Sequence, residues 1–382
     1  MAQDSAPINI GMVLAKQGVF AEIGRDGARG AMLAVDDVDS KVNGRLVKVI
    51  WYDDPDPQSA QQNTSKLIDS DKVVAVVGGL NSASSLAEAS VAKRAKIPLM
   101  VITGSAREIT GKDCNRYTFR AYFTAQVAAR ALVPELIKKG KRWYFLSPNY
   151  ATGVDAYNSM KEELVKLGGT EVGADKVPLG TSDYSSFILK IREAKPDVVA
   201  FSLTGIDIDN FLKQWSQYGM KDKIPVGDPY LSESSVWSLN KGSATGTYVK
   251  IWQYSDPDLS PIERKFAADY RAKYGMPASM VAWDGWMSMR MILDAIRAGK
   301  STDPASIVHQ LETLKWSDRK TPSYFRPWDH QFIHPVVVVN AHEPKADKWD
   351  LLDIVKTVPE KVEDNDKIFG TKAEVGCEMG SL

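Results

Sequence analysis

The sequence predicts an α/β protein made of two doubly wound parallel-sheet lobes, and three observations carry that prediction. Short β-branched runs alternate with amphipathic helical stretches, the pattern of βαβ units that build a parallel sheet. The pattern passes through residues 117–124 and then restarts at about the same scale, although no residue-level repeat relates the halves. The 382 residues correspond to two or three domains at about 150 residues each.

In the first half, Ile8 to Ala15 reads as a strand and Gly27 to Ser40 as a helix with Ala31, Val35 and Val38 on its apolar face. Arg45 to Tyr52 is a strand, Asp56 to Ser70 a helix, Val73 to Gly78 a strand, Ser84 to Ala95 a helix and Pro98 to Thr103 a fourth strand. The second half runs helix Ala125 to Lys138, strand Arg142 to Ser147, helix Val154 to Leu167, strand Glu171 to Val177 and helix Tyr184 to Ala194. Strand Val198 to Leu203, helix Asp207 to Tyr218 and strand Ile224 to Gly227 follow. Beyond Tyr248 to Tyr254 come helices at Pro261 to Tyr274, Ser279 to Ala298 and Asp303 to Leu314, then a hairpin of Val336 to Asn340 and Trp349 to Val355 around Glu343 to Lys348. The tail from Pro359 to Leu382 is rich in charge and Gly, the composition of a disordered segment, with a Cys near its end that suggests it is pinned.

Lys and Arg number 48 against 48 Asp and Glu, so no global field steers the chain to nucleic acid or to an anionic bilayer. The longest apolar runs, such as Val73 to Val77, fall far short of the roughly 18 residues a spanning helix needs. Met1 to Pro7 is short and polar, with neither a basic n-region nor an apolar h-region. The expectation is a cytosolic protein or an exported one written without its signal.

Catalytic signatures are absent from the sequence. The glycines after the first strand, Gly24, Gly27 and Gly30, suit helix packing and not a pyrophosphate turn, and the Walker, GxSxG and HExxH patterns all fail, His342-Glu343 being followed by Pro344. Of the four His residues, His309, His330, His334 and His342, none has a nucleophile partner. Pro327 and Pro335 bracket His330 and His334, which favours a surface-loop role over a metal role. Cys114 and Cys377 read either as two buried thiols or as one disulfide, and their polar surroundings favour the disulfide. No metal or cofactor is implied.

The remaining candidates are loops at the carboxyl ends of strands, where open α/β sheets bind ligands. Gly78-Gly79-Leu80-Asn81-Ser82-Ala83-Ser84-Ser85 opens a helix, and hydroxyls beside the free N–H groups of a helix start suit an anion. The plainer reading of that loop alone is an N-cap serine. Thr103-Gly104-Ser105-Ala106 repeats the theme after the next strand, and the two loops can converge on one anion. In the second half, Tyr150 within Ser147 to Gly153 offers a flat face and a hydroxyl, and reads equally as a surface aromatic. Thr204-Gly205-Ile206-Asp207 and Asp228-Pro229-Tyr230 follow the next strand ends.

Taken in order, Gly27-Ala28-Arg29-Gly30-Ala31-Met32 through Asp36-Asp37, Tyr52-Asp53-Asp54 with Asp56-Pro57, Val73 to Gly78 with Ser82, Ile97-Pro98 and Phe119-Arg120 form a specific string. With Tyr150 and Gly153, Lys195 to Val199 and Trp283-Asp284, that string resembles the type I periplasmic solute-binding proteins of branched-chain amino acid ABC transporters over nearly the whole chain.

The resemblance implies two lobes joined by three crossings, near Arg120 to Thr124, Lys250 to Ser255 and Arg326 to Phe332. Lobe 1 would hold residues 7–121 and 255–328, lobe 2 residues 122–254 and 329–358, with 359–382 as a tail. It implies that Ser82, Ser105 and the Ala106 backbone bind a ligand carboxylate and that Tyr150 covers the ligand from the other lobe in a cleft between lobes; Asn81, Thr103, Gly205, Asp228 and Tyr230 from the strand-end loops, with Phe20, are further candidate ligand-binding residues. Two departures stand out. Pro229 occupies about the place of the acid that holds an α-ammonium in amino-acid binders, leaving Asp228 as the substitute, and the first-loop aromatic is displaced, Phe20 being near and Ile23 nearer. The family's early disulfide is missing, while Cys114 and Cys377 fit an alternative bridge.

The expected function is therefore extracytoplasmic capture of a small carboxylate with an apolar or aromatic body, as a monomer without catalysis, and delivery to a membrane ABC permease. The alternatives are a carrier of branched-chain or other amino acids, and a cytosolic ligand-sensing protein or α/β enzyme.

Overall fold

A computed structural model describes residues 6–231, 233–237, 243–319, 321–345 and 347–380. The chain divides into two compact units, one holding the residues up to Phe123, Pro257–His334 and those from Gly370 on, the other holding Thr124–Asp256 and Pro335–Phe369.

Unit 1 is wound around a six-stranded sheet ordered Lys41–Val42, Arg45–Tyr52, Ile8–Val13, Ala75–Gly78, Leu99–Val101, Thr118–Arg120. All neighbours are parallel except the short hairpin between the first two, and the register pairs Ile10 with both Val49 and Ala75. From Ile8–Val13 the chain adds Arg45–Tyr52 on one side and Ala75–Gly78 on the other, so the winding reverses between Ile8–Val13 and Ala75–Gly78. The loops after these two strands border that switch point, where open α/β sheets leave a crevice.

The helix Ala21–Asp36 starts earlier than its apolar period suggests, with Phe20 at its N-cap position, and packs on the helix Met280–Gly299. Glycine permits that approach: a Cβ on Gly30 would lie 1.7 Å from the Ala282 carbonyl oxygen, and one on Gly285 would lie 2.1 Å from that of Gly27. The glycines after the first strand thus serve helix packing.

Unit 2 has a seven-stranded sheet ordered Leu352–Val358, Val336–Ala341, Thr247–Lys250, Val226–Asp228, Val198–Phe201, Arg142–Pro148, Thr170–Val177. Its winding reverses between Arg142–Pro148 and Val198–Phe201, and Phe201, Phe211, Trp215 and Tyr248 pack in the core behind. The hairpin expected to return at Trp349 returns instead at Leu352, because Val338 pairs with Lys356 and Asn340 with Asp353 across an irregularity at Val338/Val339.

Three expectations change. Residues 329–334, expected in the second lobe, belong to unit 1, where Phe332–Ile333 pairs with Ser323–Phe325. The tail does not act as one segment: it is divided between the units at Phe369 and Gly370, giving four passages of the chain between units where three were expected. It also has local order, the Thr371–Glu374 capping box starting the short helix Lys372–Val375. Finally, His330 and His334 are not surface-loop residues. Both are buried, His330 stacked on Phe119 at 3.8 Å and His334 bonded through Nδ1 to the Ser323 hydroxyl at 2.7 Å. The bracketing prolines exclude a helix but say nothing about burial.

Cys114 and Cys377 form a disulfide closing 263 residues within unit 1.

Candidate ligand-binding site

In unit 1 the switch-point loop after Ala75–Gly78 turns at Gly79, whose φ of +73° favours glycine. Asn81 then caps the helix Ser82–Ala95: its Oδ1 accepts the Ser84 N–H at 2.9 Å and its Nδ2 donates to the Ser84 Oγ at 2.9 Å. The cap is thus Asn81 and not a serine as expected, and the Ser84 hydroxyl donates to Asp54 Oδ1 at 2.7 Å. Ser82 is left to a longer reach, its Oγ accepting the N–H of Ala106 at 3.1 Å.

The loop after Leu99–Val101 is fixed at both ends. Thr103 donates to the Leu80 carbonyl at 2.5 Å, tying the two loops together. The Arg120 guanidinium, fully buried at the end of its strand, donates to the Ala106 carbonyl at 2.6 Å and through Nε to Gln331 at 2.8 Å. Ser105 lies between them, 1% exposed, with no hydrogen-bond partner for its hydroxyl. The structure therefore brings Asn81, Ser82, Thr103, Ser105 and Ala106 onto one rim. Phe20 is half-buried immediately before the helix Ala21–Asp36, and Ile23 is buried inside it.

The corresponding rim of unit 2 carries Tyr150, Gly205, Asp228 and Tyr230. Tyr150 precedes the helix Ala151–Lys166, and its hydroxyl shares a 2.6 Å hydrogen bond with Thr204 across the switch point. Gly153 is required behind it, since a Cβ there would lie 2.4 Å from the Pro148 carbonyl oxygen. Gly205, at φ +58°, opens the helix Ile206–Gln217. Asp228 ends its strand fully buried; Oδ1 accepts the Tyr230 N–H at 2.6 Å and Oδ2 has no partner. Burial holds the Asp228 carboxyl well above the usual carboxylate range, and burial likewise raises the Tyr150 hydroxyl.

Arg120 and Thr204 are site-shaping residues that residue-type reasoning did not single out for a role. The signal for Arg120 is its place at a strand end inside Phe119-Arg120, and the signal for Thr204 is a hydroxyl in the loop facing Tyr150's across the reversal. Among the described residues no group of three or more His, Cys, Asp or Glu is placed to hold a metal ion, and no helix is long and apolar enough to cross a membrane.

Comparison with known proteins gives a match to the family described as periplasmic binding protein over residues 7–347. The Leu/Ile/Val-binding protein homolog 6 of Brucella abortus (strain 2308) is 26% identical over 334 residues, covering 84% of each chain. A periplasmic binding protein from Burkholderia mallei, solved by crystallography, superposes with a TM-score of 0.88 at 26% identity, covering 97% of this chain and 98% of that one. A solute-binding protein of an ABC transporter from Rhodopseudomonas palustris BisB5, crystallised with 3,4-dihydroxybenzoic acid, shares the fold with a TM-score of 0.85 at 23% identity, covering 93% and 97%.

Proposed function

Because the chain belongs to the periplasmic binding protein family, we propose that it is an extracytoplasmic solute-binding protein of an ABC importer that captures a small carboxylate with an apolar or aromatic body. The observation that carries the ligand class is the unit 1 rim, where the Ser82 hydroxyl, the Ala106 N–H and the unpartnered Ser105 hydroxyl come together at a helix start. Three neutral groups with protons to donate, beside the positive end of a helix, favour an anion and offer nothing to a cation.

In this reading the carboxylate exchanges the Ser82–Ala106 bond for its own, Asn81 and Thr103 hold the loop shapes, and Phe20 contributes apolar surface. An α-ammonium finds no acid at Pro229. Asp228 is buried, and that burial disfavours its charged form, which makes it a weak ammonium partner. The protein acts as a monomer, releases its ligand to a membrane permease and catalyses no reaction.

An amino-acid carrier is the second reading, favoured by the Leu/Ile/Val-binding relative. Native mass spectrometry of the protein purified from its source without dialysis tests the proposal. A co-purified aromatic or apolar carboxylic acid supports it; a co-purified α-amino acid replaces it with the second reading.

A further inference from the structure

Asp54 and Glu88 are two buried carboxyls in unit 1 for which the capture of an anion has no direct use. Asp54 follows the strand Arg45–Tyr52 and is 2% exposed; Glu88 lies on the helix Ser82–Ala95 and is fully buried. Asp54 Oδ1 accepts the Ser84 hydroxyl at 2.7 Å, its Oδ2 has no partner, and neither oxygen of Glu88 completes a hydrogen bond. Gly78 makes room for Glu88, since a Cβ there would lie 2.1 Å from Glu88 Oε2.

Among the described residues the charges that shift the pair are negative. Asp54 faces Asp53 and Asp56, and Glu88 faces Asp54, with the Gly79 N–H as the one dipole favouring its charged form. The nearby cations are committed elsewhere: the Lys16 ammonium donates to the Trp51 carbonyl at 2.8 Å, and that of Lys66 sits 4.5 Å over the Tyr52 ring. Desolvation first, then repulsion by Asp54, pushes Glu88 well above the usual range; desolvation, opposed by the Ser84 hydrogen bond and aided by Asp53 and Asp56, pushes Asp54 up to about 6. The pair is also wired to the rim, because Asn81 Nδ2 and Asp54 Oδ1 meet on the same Ser84 hydroxyl two residues after Ser82.

We propose that anion capture at the Ser82–Ala106 rim is coupled to proton uptake by the buried Asp54–Glu88 pair. The inference rests on the carboxylate reading above. An arriving anion adds negative charge beside the pair, so the carboxyls hold their protons more tightly. By reciprocity the protonated pair holds the anion more tightly. Affinity is therefore highest where both carboxyls are neutral and falls as pH rises through the titration of Asp54.

The test is calorimetry with benzoate as the probe, at about pH 6.5, in two buffers of different ionisation enthalpy. The expected result is net uptake of a fraction of a proton and roughly tenfold weaker binding near pH 8 than near pH 5.5. The same measurement on an Asp54→Asn, Glu88→Gln double variant, shown folded by circular dichroism, is expected to give buffer-independent heat and a flat pH profile. Buffer-independent binding by the unaltered protein, or uptake surviving in the folded double variant, overturns the coupling. Infrared difference spectra between the ligand-free protein and Glu88→Gln at pH 7 provide a readout that needs no ligand. A protonated-carboxyl C=O band is expected, and its absence overturns the proposal. If the band is present and neither benzoate nor phenylacetate binds at any pH, the carboxylate reading itself has failed, and the coupling is rejected with it.

Discussion

The Ser82 hydroxyl accepts a hydrogen bond from the Ala106 N–H at 3.1 Å, joining a helix start to the next strand's loop across 24 residues of chain. The two groups proposed to bind a ligand carboxylate thus satisfy one another, and in that reading a carboxylate enters between them. Arg120 grips the carbonyl of the same Ala106 residue at 2.6 Å, so the amide that must re-aim is anchored on one side.

Ser82→Ala therefore has two separable effects. It leaves the buried Ala106 N–H without its partner, lowering ligand-free stability by about 1–3 kcal/mol. It also removes a bond to a charged ligand, about 1.5–3 kcal/mol or roughly 10- to 150-fold in affinity. Chemical denaturation without ligand and calorimetry with ligand measure the two separately. Unchanged affinity for every carboxylate that binds the unaltered protein would remove Ser82 from the site.

Much of this arrangement was legible in the sequence, and the exceptions share a cause. Alternating apolar runs located most strands of both sheets, but not Lys41–Val42, Thr118–Arg120 or Thr247–Lys250, which are too short to show a period, and Gly, Ser and Thr at strand ends pointed to the two rims. Asn81 to Ser85 was readable as a helix cap because its chemistry is local, although the cap is Asn81 and not a serine and the helix starts at Ser82. The roles of Arg120, Asp54 and Glu88 were not readable, since they depend on burial and on contacts with residues distant in sequence, such as Ser84 for Asp54. Arg120 reaches Gln331 across 211 residues, and a lone Glu on a helix reads as a solvated charge. His330 and His334 were misjudged for the same reason: prolines report local backbone, while burial is decided by the strands Ser323–Phe325 and Phe332–Ile333 closing over them.

Opening the Cys114–Cys377 bridge should free the segment from Gly370 onward from unit 1. The chain-entropy argument values a loop of this length at about 5 kcal/mol before any native strain. Reduction, or Cys377→Ser, is expected to lower the melting temperature and to expose the Lys372–Val375 region to limited proteolysis. A tail that stays protease-resistant after reduction would show that its other contacts hold it, among them the Arg326 bond to the Gly370 carbonyl at 2.7 Å.

The buried acids set a pH signature on stability. Asp54 titrates at about 6 in the folded protein against 3.8 as its ordinary value, so the folded state binds more protons than the unfolded one in between. Stability is expected to fall as pH rises from about 4 to 6, by up to roughly 3 kcal/mol from this group. Asp54→Asn should flatten that part of a urea-denaturation profile. Burial lowers His334, which opposes the trend: its contribution is complete above about pH 6.5 and is lost as pH falls below it. A steeper decline in Asp54→Asn than in the unaltered protein would contradict the assignment.

Lys250 and Glu233 form a fully buried ion pair in unit 2, with Gln253 on the same ammonium. Lys250→Met leaves Glu233 with one charged partner fewer in a dry site and should destabilise by about 3–5 kcal/mol. Replacing both by apolar residues should recover much of the loss. A double variant no more stable than Lys250→Met would show that the pair is not the source of the effect.

Calorimetry on a matched pair, phenylpyruvate against phenylalanine, tests the central claim most directly, because the two ligands share a carboxylate and an aromatic body and differ at the α-carbon, a neutral keto oxygen against an ammonium. With donors for an anion at Ser82, Ser105 and Ala106 and no acid at Pro229, phenylpyruvate should bind about 10- to 150-fold more tightly, the worth of one charged hydrogen bond. Tighter binding of phenylalanine would contradict the account and make Asp228 the ammonium partner of an amino-acid carrier.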